Sequence, residues 1–286
     1  MKGLVTAAFL LGAILAAQTP PAKTPALPEW VKAENNISYD RYKETVLDVL
    51  TPTTPTKGKR PGIIVIHGGG WINGSKEEMV QIICLPYLEK GFVVANVEYR
   101  QSKVATAPAA VTDVLHAAKW FFRNAKKYNV DRKRIIVTGS SAGGHLTLMV
   151  GMTPRSAKLG PPAKVAAVVN VYGITDVGDQ LSGPNMRKYA VAWVPEQPGR
   201  LELARRISPM TYVRAGLPPI LTLHGDADQT VPYEQGTRLT KALKDVGVDA
   251  ELITVPGGKH GFPKEKWNEL YPQIFDWLKR RGILRD

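Results

Sequence analysis

Apolar positions along this chain fall into short, compact runs, separated by longer stretches in which they recur every three or four residues. The runs lie at residues 63–66 (Ile63, Ile64, Val65, Ile66), 92–97, 134–137, 166–171, 220–223 and 252–255. Each is too short for a helix and largely apolar on both faces, as expected of strands covered from both sides. Residues 37–50 carry enough Tyr, Val and Leu for two earlier strands, and the Pro- and Thr-rich stretch 51–56 reads as a turn. Helical patterns fall between the runs, at about 76–90, 108–127, 142–150, 233–246 and 267–281. In the second of these, Val111, Val114, Leu115, Ala118, Phe121 and Phe122 form one apolar face. Buried strands alternating with amphipathic helices predict an α/β fold, a mostly parallel sheet with helices on both faces. The fixed handedness of crossovers leaves few topologies open.

Two segments depart from this rhythm. Residues 176–215 carry Gly, Pro and clusters of Trp and Tyr before the next strand, with a helix near 199–206. A connection of that length predicts a small lid-like insertion. At the other end, Lys2 precedes an uncharged apolar run at 3–17 that closes on Ala16 and Ala17. The run is short for a membrane span and reads as a secretory signal peptide over 1–17, so the protein is expected to be secreted or periplasmic. Residues 18–36, rich at first in Pro, Ala and Thr, are expected to be a flexible spacer, and 37–286 the folded domain.

Composition changes the picture little. The 38 Lys and Arg outnumber the 25 Asp and Glu, yet they are spread along the chain without a basic stripe interleaved with aromatics, so no nucleic-acid partner is expected. With the signal peptide removed, no membrane association is expected either. Cys84 is the single cysteine and sits in the apolar segment Ile82-Ile83-Cys84-Leu85. It is expected to pack rather than to react, and no disulfide framework is available. No cluster of Cys, His and carboxylates has ligand spacing, and no metal or cofactor is expected.

The chemistry is signalled by three strings. Gly139-Ser140-Ser141-Ala142-Gly143 follows the run at 134–137 and opens a helical pattern. Glycines on either side of Ser141 permit a tight strand-to-helix turn that side chains would obstruct, and the turn exposes a nucleophilic hydroxyl. The N–H of Ala142 then lies at a helix N-terminus, where it can meet an oxyanion. His67-Gly68-Gly69-Gly70-Trp71 follows the run at 63–66, placing the N–H groups of Gly69 and Gly70 beside a strand end for the same task. A serine nucleophile needs a base and an orienting acid. Of five histidines, His67 belongs to the glycine loop, His116 to an amphipathic helix, His145 to the helix after Ser141, and His224 to a strand end. His260, in Gly257-Gly258-Lys259-His260-Gly261-Phe262, is the best-placed base, on glycines that let its ring swing toward Ser141. His224-Gly225-Asp226-Ala227-Asp228 supplies two carboxylates at a strand end. Spacing favours Asp228 and leaves Asp226 to bond backbone N–H groups of its own turn.

These strings resemble the α/β-hydrolase superfamily, and within it bacterial esterases of the H-G-G-G type. The elbow through Gly144-His145-Leu146 is similar to the branch containing feruloyl and acetylxylan esterases. The resemblance implies the α/β-hydrolase fold and a serine esterase removing small acyl groups (acetyl or feruloyl) from esters, esterified carbohydrate among them. It assigns the catalytic acid to Asp228, matching His224, Gly225, Val231 and Pro232, and the oxyanion donors to Gly69, Gly70 and Ala142. Ser140 stands where hormone-sensitive-lipase relatives carry Asp, which leans away from that group. Trp71, Tyr172 and Trp193 are candidate walls of a substrate pocket. An arylformamidase-like amidase and a non-catalytic polysaccharide-binding protein on the same fold are the competing readings.

Overall fold

The computed structural model describes residues 26–285. The expected signal peptide, and the spacer up to residue 25, lie outside the described residues. Eight strands are formed: β1 (Val31–Ser38), β2 (Val46–Pro52), β3 (Arg60–Ile66), β4 (Val93–Val97), β5 (Val130–Ser140), β6 (Ala167–Val171), β7 (Ile220–Gly225) and β8 (Ala250–Val255). They make one sheet in the order β1-β2-β4-β3-β5-β6-β7-β8. The pairs β1–β2 and β2–β4 are antiparallel, and every other pair is parallel. This is the mostly parallel sheet of an α/β-hydrolase fold.

Alternation along the central strands divides the interior in two. Ile64, Ile66, Val137 and Val168 face one side, where they pack with α2 (Ala109–Asn124), α3 (Ala142–Met152) and α6 (Glu234–Asp245). Ile63, Val65, Ile136 and Val169 face the other, against α1 (Leu85–Glu89) and α7 (Lys264–Arg280). Both faces are dry, which is why the sequence runs are apolar at consecutive positions. Cys84 is fully buried on the second side, and burial pushes its thiol pKa up, so packing is its role.

One expected boundary is corrected. Residues 31–36 are not spacer but most of β1, an edge strand registered on β2 from Val31↔Pro52 to Ser38↔Val46. Its sequence, VKAENNIS, has too few apolar residues to betray a strand, because as an edge it needs to cover only one face. The lid-like insertion at 176–215 packs into the interior. Its helices α4 (Lys188–Trp193) and α5 (Arg200–Arg206) bury Ala190, Trp193, Val194, Ala204 and Ile207 in the same core as α2 and α3.

Trp71, His145 and Trp193 fix that packing. Trp71 and Trp193 stack with ring centroids 4.0 Å apart, and both meet the His145 ring edge-on. The His145 Nε2–H donates to the Ile207 carbonyl at 2.6 Å, while its Nδ1 accepts from Trp71 Nε1 at 3.2 Å. Only the neutral ring satisfies both bonds. Burial accordingly pulls the His145 pKa down from 6.5 to about 4, against the smaller opposing effect of the Ile207 carbonyl. Its contribution to stability is therefore complete above about pH 6.5 and is lost as pH falls toward 4. Between about pH 7 and about pH 4, wild type should lose about 3 kcal/mol more unfolding free energy in urea than His145→Gln. Equal losses in the two proteins would show that His145 does not carry this dependence.

Candidate active site

β5 runs into α3 through Ser141, whose backbone sits at φ 57° and ψ −123°. That conformation is costly for a residue with a side chain, by about 1–3 kcal/mol, and needs its surroundings to hold it. Here the Ser141 N–H donates to the Val171 carbonyl at 2.9 Å, and its carbonyl accepts from His145 N at the same distance. The flanking glycines are sterically required. A Cβ on Gly139 would lie 2.4 Å from the Ile66 carbonyl oxygen, and one on Gly143 would lie 2.2 Å from it and 2.5 Å from that of His67.

The expected acid and base arrive from loops two and three strands along the sheet. Asp228 follows β7 and His260 follows β8. His260 Nε2 is 2.9 Å from Ser141 Oγ, and its Nδ1 is 2.7 Å from Asp228 Oδ2. The second carboxylate oxygen of Asp228 accepts from the N–H groups of Thr230 and Val231, at 2.8 and 3.0 Å. Burial works to raise the Asp228 pKa. The adjacent His224 and His260 and the Val231 N–H overcome it and hold the carboxyl well below the usual carboxylate range. Asp226 does not bond its own turn as expected. Its Oδ1 accepts from Gly257 N at 2.6 Å, in the loop that carries His260. Ala227 N donates to the Gly258 carbonyl at 3.0 Å in the same loop. The histidine loop is thus stitched to the acid loop, with the His260 ring turned toward Ser141.

The glycine loop leaves β3 beside this group. Gly69 and Gly70 have φ of 102° and 60°, and Gly68 lies close to the Ser140 carbonyl. The backbone N–H groups of Gly69, Gly70 and Ala142 donate to no acceptor among the described residues. A cleft of about 470 Å³ is lined by Gly69, Gly70, Ser141, Tyr172, Tyr189 and His260. Tyr172 stands against the His260 ring, with centroids 4.8 Å apart. Trp71 and Trp193 are corrected as pocket walls, since both are 0% exposed and spend their surface on each other and on His145. Among the described residues, no group of three or more His, Cys, Asp or Glu side chains is placed to hold a metal ion, and no helix is long and apolar enough to cross a membrane.

The model of the BD-FAE family matches residues 47–243, which span the elbow, the glycine loop and the acid loop. The chain belongs to the BD-FAE family. A probable carboxylic ester hydrolase of Mycobacterium tuberculosis, LipM, is 30% identical over 80% of this chain and 56% of its own length. The chain therefore spans about half the length of the curated relatives it matches. The structure of a truncated carbohydrate esterase from gut microbiota superposes with a TM-score of 0.80 at 30% identity, covering 91% of this chain and 99% of that one. Esterase 2 of Thermogutta terrifontis, at 24% identity and a TM-score of 0.75 over 92% of this chain and 98% of its own, shares the fold.

Several residues of this BD-FAE site escaped the sequence reading. His67 Nε2 is 2.8 Å from Glu98 Oε1, its Nδ1 is 2.8 Å from the Gly68 carbonyl, and its ring stacks on Tyr99 at 4.2 Å. Burial disfavours a charge there, but the Glu98 carboxylate and the Gly68 carbonyl raise the His67 pKa. The Tyr99 hydroxyl donates toward the carbonyls of His67 and Gly68, at 3.1 and 3.2 Å, and so pins the start of the glycine loop. Glu98 and Tyr99 directly follow β4, and polar residues at a parallel-strand end were the available signal. Arg187 is the other. From the insertion it donates to the carbonyls of Thr230 (2.9 Å) and Gln229 (2.6 Å), bracing the loop whose N–H groups hold Asp228. Nothing in the sequence around Arg187 marks it.

The steric argument at the elbow is open to test. Gly143→Ala drives a Cβ into two backbone carbonyls and should destabilise the fold by more than about 4 kcal/mol, or abolish soluble protein. Gly183→Ala meets nothing within 4 Å and should lose only about 1–2 kcal/mol to its left-handed backbone. Comparable unfolding midpoints for the two variants would contradict this account.

Proposed function

We propose that this protein hydrolyses carboxylic esters, with Ser141 as nucleophile, His260 as general base and Asp228 as the acid that orients it. The observation that carries the reading is the pair of hydrogen bonds joining Ser141 Oγ to His260 and His260 to Asp228, at 2.9 and 2.7 Å. His260 takes the Ser141 proton as the oxygen attacks the ester carbonyl. Asp228, held ionised, fixes the ring with Nδ1–H toward itself and stabilises the imidazolium that forms. The N–H groups of Gly69, Gly70 and Ala142, with no competing protein acceptor among the described residues, stabilise the oxyanion. His260 returns the proton to the departing alcohol, and a water activated by the same ring releases the acid from the acyl-enzyme.

The substrate reading is finer. Small acyl groups, acetyl or feruloyl, on esterified carbohydrate are supported by likeness to the gut-microbiota carbohydrate esterase. The open cleft of about 470 Å³ suits a short acyl chain beside a polar alcohol.

Hydrolysis of p-nitrophenyl acetate, butyrate and octanoate is the direct test. Turnover should favour the short esters and fall by at least about 10³ in Ser141→Ala with the thermal midpoint retained. Near-wild-type turnover in that variant would remove Ser141 from the mechanism, and no turnover by folded wild type would shift the reading to amides. Asp228→Asn should lower kcat by on the order of 10⁴ while leaving the fold in place, because the amide permits the wrong His260 tautomer. A loss of less than tenfold would leave Asp228 without the orienting role.

A further inference from the structure

The basic residues that look scattered in the sequence do not stay scattered in the fold. A cavity of about 540 Å³ is lined by Lys57, Lys59, Arg60, Lys90, Arg134 and Arg285, with Asp131 the only carboxylate on its wall among the described residues. It lies at the opposite edge of the sheet from Ser141, since Arg60 opens β3 and the glycine loop follows its other end, roughly 20 Å along the strand. Arg134 is accounted for, with its Nε 3.0 Å from Asp131 Oδ2 and its other nitrogens on the carbonyls of Ile283 and Lys59. Arg60 is different. It is only 7% exposed and donates to the carbonyls of Thr54 and Gly91, yet no carboxylate pairs with it among the described residues. Lys57, Lys59 and Lys90 stand exposed around it, also with no carboxylate partner among the described residues.

A buried guanidinium without a counterion is unfavourable, and a ring of like charges adds to the cost. Both are relieved by an anion seated in the cavity. Guanidinium and ammonium groups together suit oxygen anions, the first by its planar fork and the second as a point charge. Among the described residues no aromatic side chain lines the wall, so the cavity offers no stacking platform for nucleobases.

We propose that this cavity binds an acidic polysaccharide through its carboxylate groups, at a site separate from the Ser141 cleft. Such a site holds the protein on a charged polymer while the opposite edge of the sheet stays free for an ester. The choice of a carbohydrate polymer rests on the ester reading above, whereas the binding itself does not require turnover.

The experiment is titration calorimetry of the full chain with polygalacturonate, neutral dextran and oligo-dT, at about 50 and about 300 mM NaCl. Polygalacturonate should bind, dextran should not, and the higher salt should weaken binding about tenfold. The triple variant Lys57→Glu, Lys59→Glu, Lys90→Glu should lose binding by at least about tenfold, with unchanged turnover of p-nitrophenyl acetate and a thermal midpoint no lower than that of wild type, since its carboxylates relieve the charge around Arg60. Polygalacturonate should raise the midpoint of wild type and not that of the triple variant. Absence of binding at low salt, equal binding by wild type and variant, or oligo-dT binding as tight as polygalacturonate would each overturn the proposal. Binding without ester turnover would count against the esterase reading alone and leave this one standing.

Discussion

The carbonyl oxygens of Ile66 and His67 come so close to Gly143 that no side chain fits between them. That contact presses the first turn of α3 onto the end of β3, and the whole C-terminal edge of the sheet is arranged around it. Ser141 is thereby lifted above the sheet, and the glycine loop leaving β3 passes beside it rather than over it. Because backbone makes the contact on both sides, it has no rotamers to lose and no slack to take up. The approach of the elbow to the end of β3 is therefore set by main chain.

Behind this edge the protein uses buried charge as bracing. Lys76 Nζ lies 2.7 Å from Asp48 Oδ2, and its backbone N–H donates to Glu98 Oε2 at 3.2 Å. Glu98 holds His67 in turn, so a line of charged groups runs from β2 to the glycine loop. Buried ion pairs contribute little net stability, but breaking one leaves an uncompensated charge, and this penalises alternative loop positions. Arg187 does the equivalent for the acid loop, by hydrogen bonds to carbonyls rather than by pairing.

The sheet was legible in the sequence wherever both faces of a strand are buried, because such strands spell themselves as apolar runs. β1 was not, because an edge strand carries the polar sequence of a loop. At the site, the elbow, the glycine triplet, Asp228 and His260 lay in short strings whose spacing reflects local turns, and the fold sets these positions side by side. What pattern reading missed depends on contacts between segments far apart in the chain. Trp71 and Trp193 looked like pocket walls because aromatic residues near a site serve equally as walls and as core. Only the 4.0 Å stack across 122 positions of chain, from 71 to 193, decides between them. Lys57, Lys90 and Arg285 were similarly unreadable as neighbours, since each is unremarkable among the charges next to it.

The pinned insertion also bears on how the protein meets its substrate. A hydrolase whose cleft is roofed by a hinged flap must open before it can bind, and a water–lipid boundary is often what opens it. Here the equivalent segment is anchored by the stacked indoles and by the Ile207 carbonyl on His145. Opening it would tear out part of the core. Under the esterase reading proposed above, turnover should therefore follow dissolved substrate in simple hyperbolic fashion, without the jump in rate at emulsion or micelle formation that marks interfacial lipases.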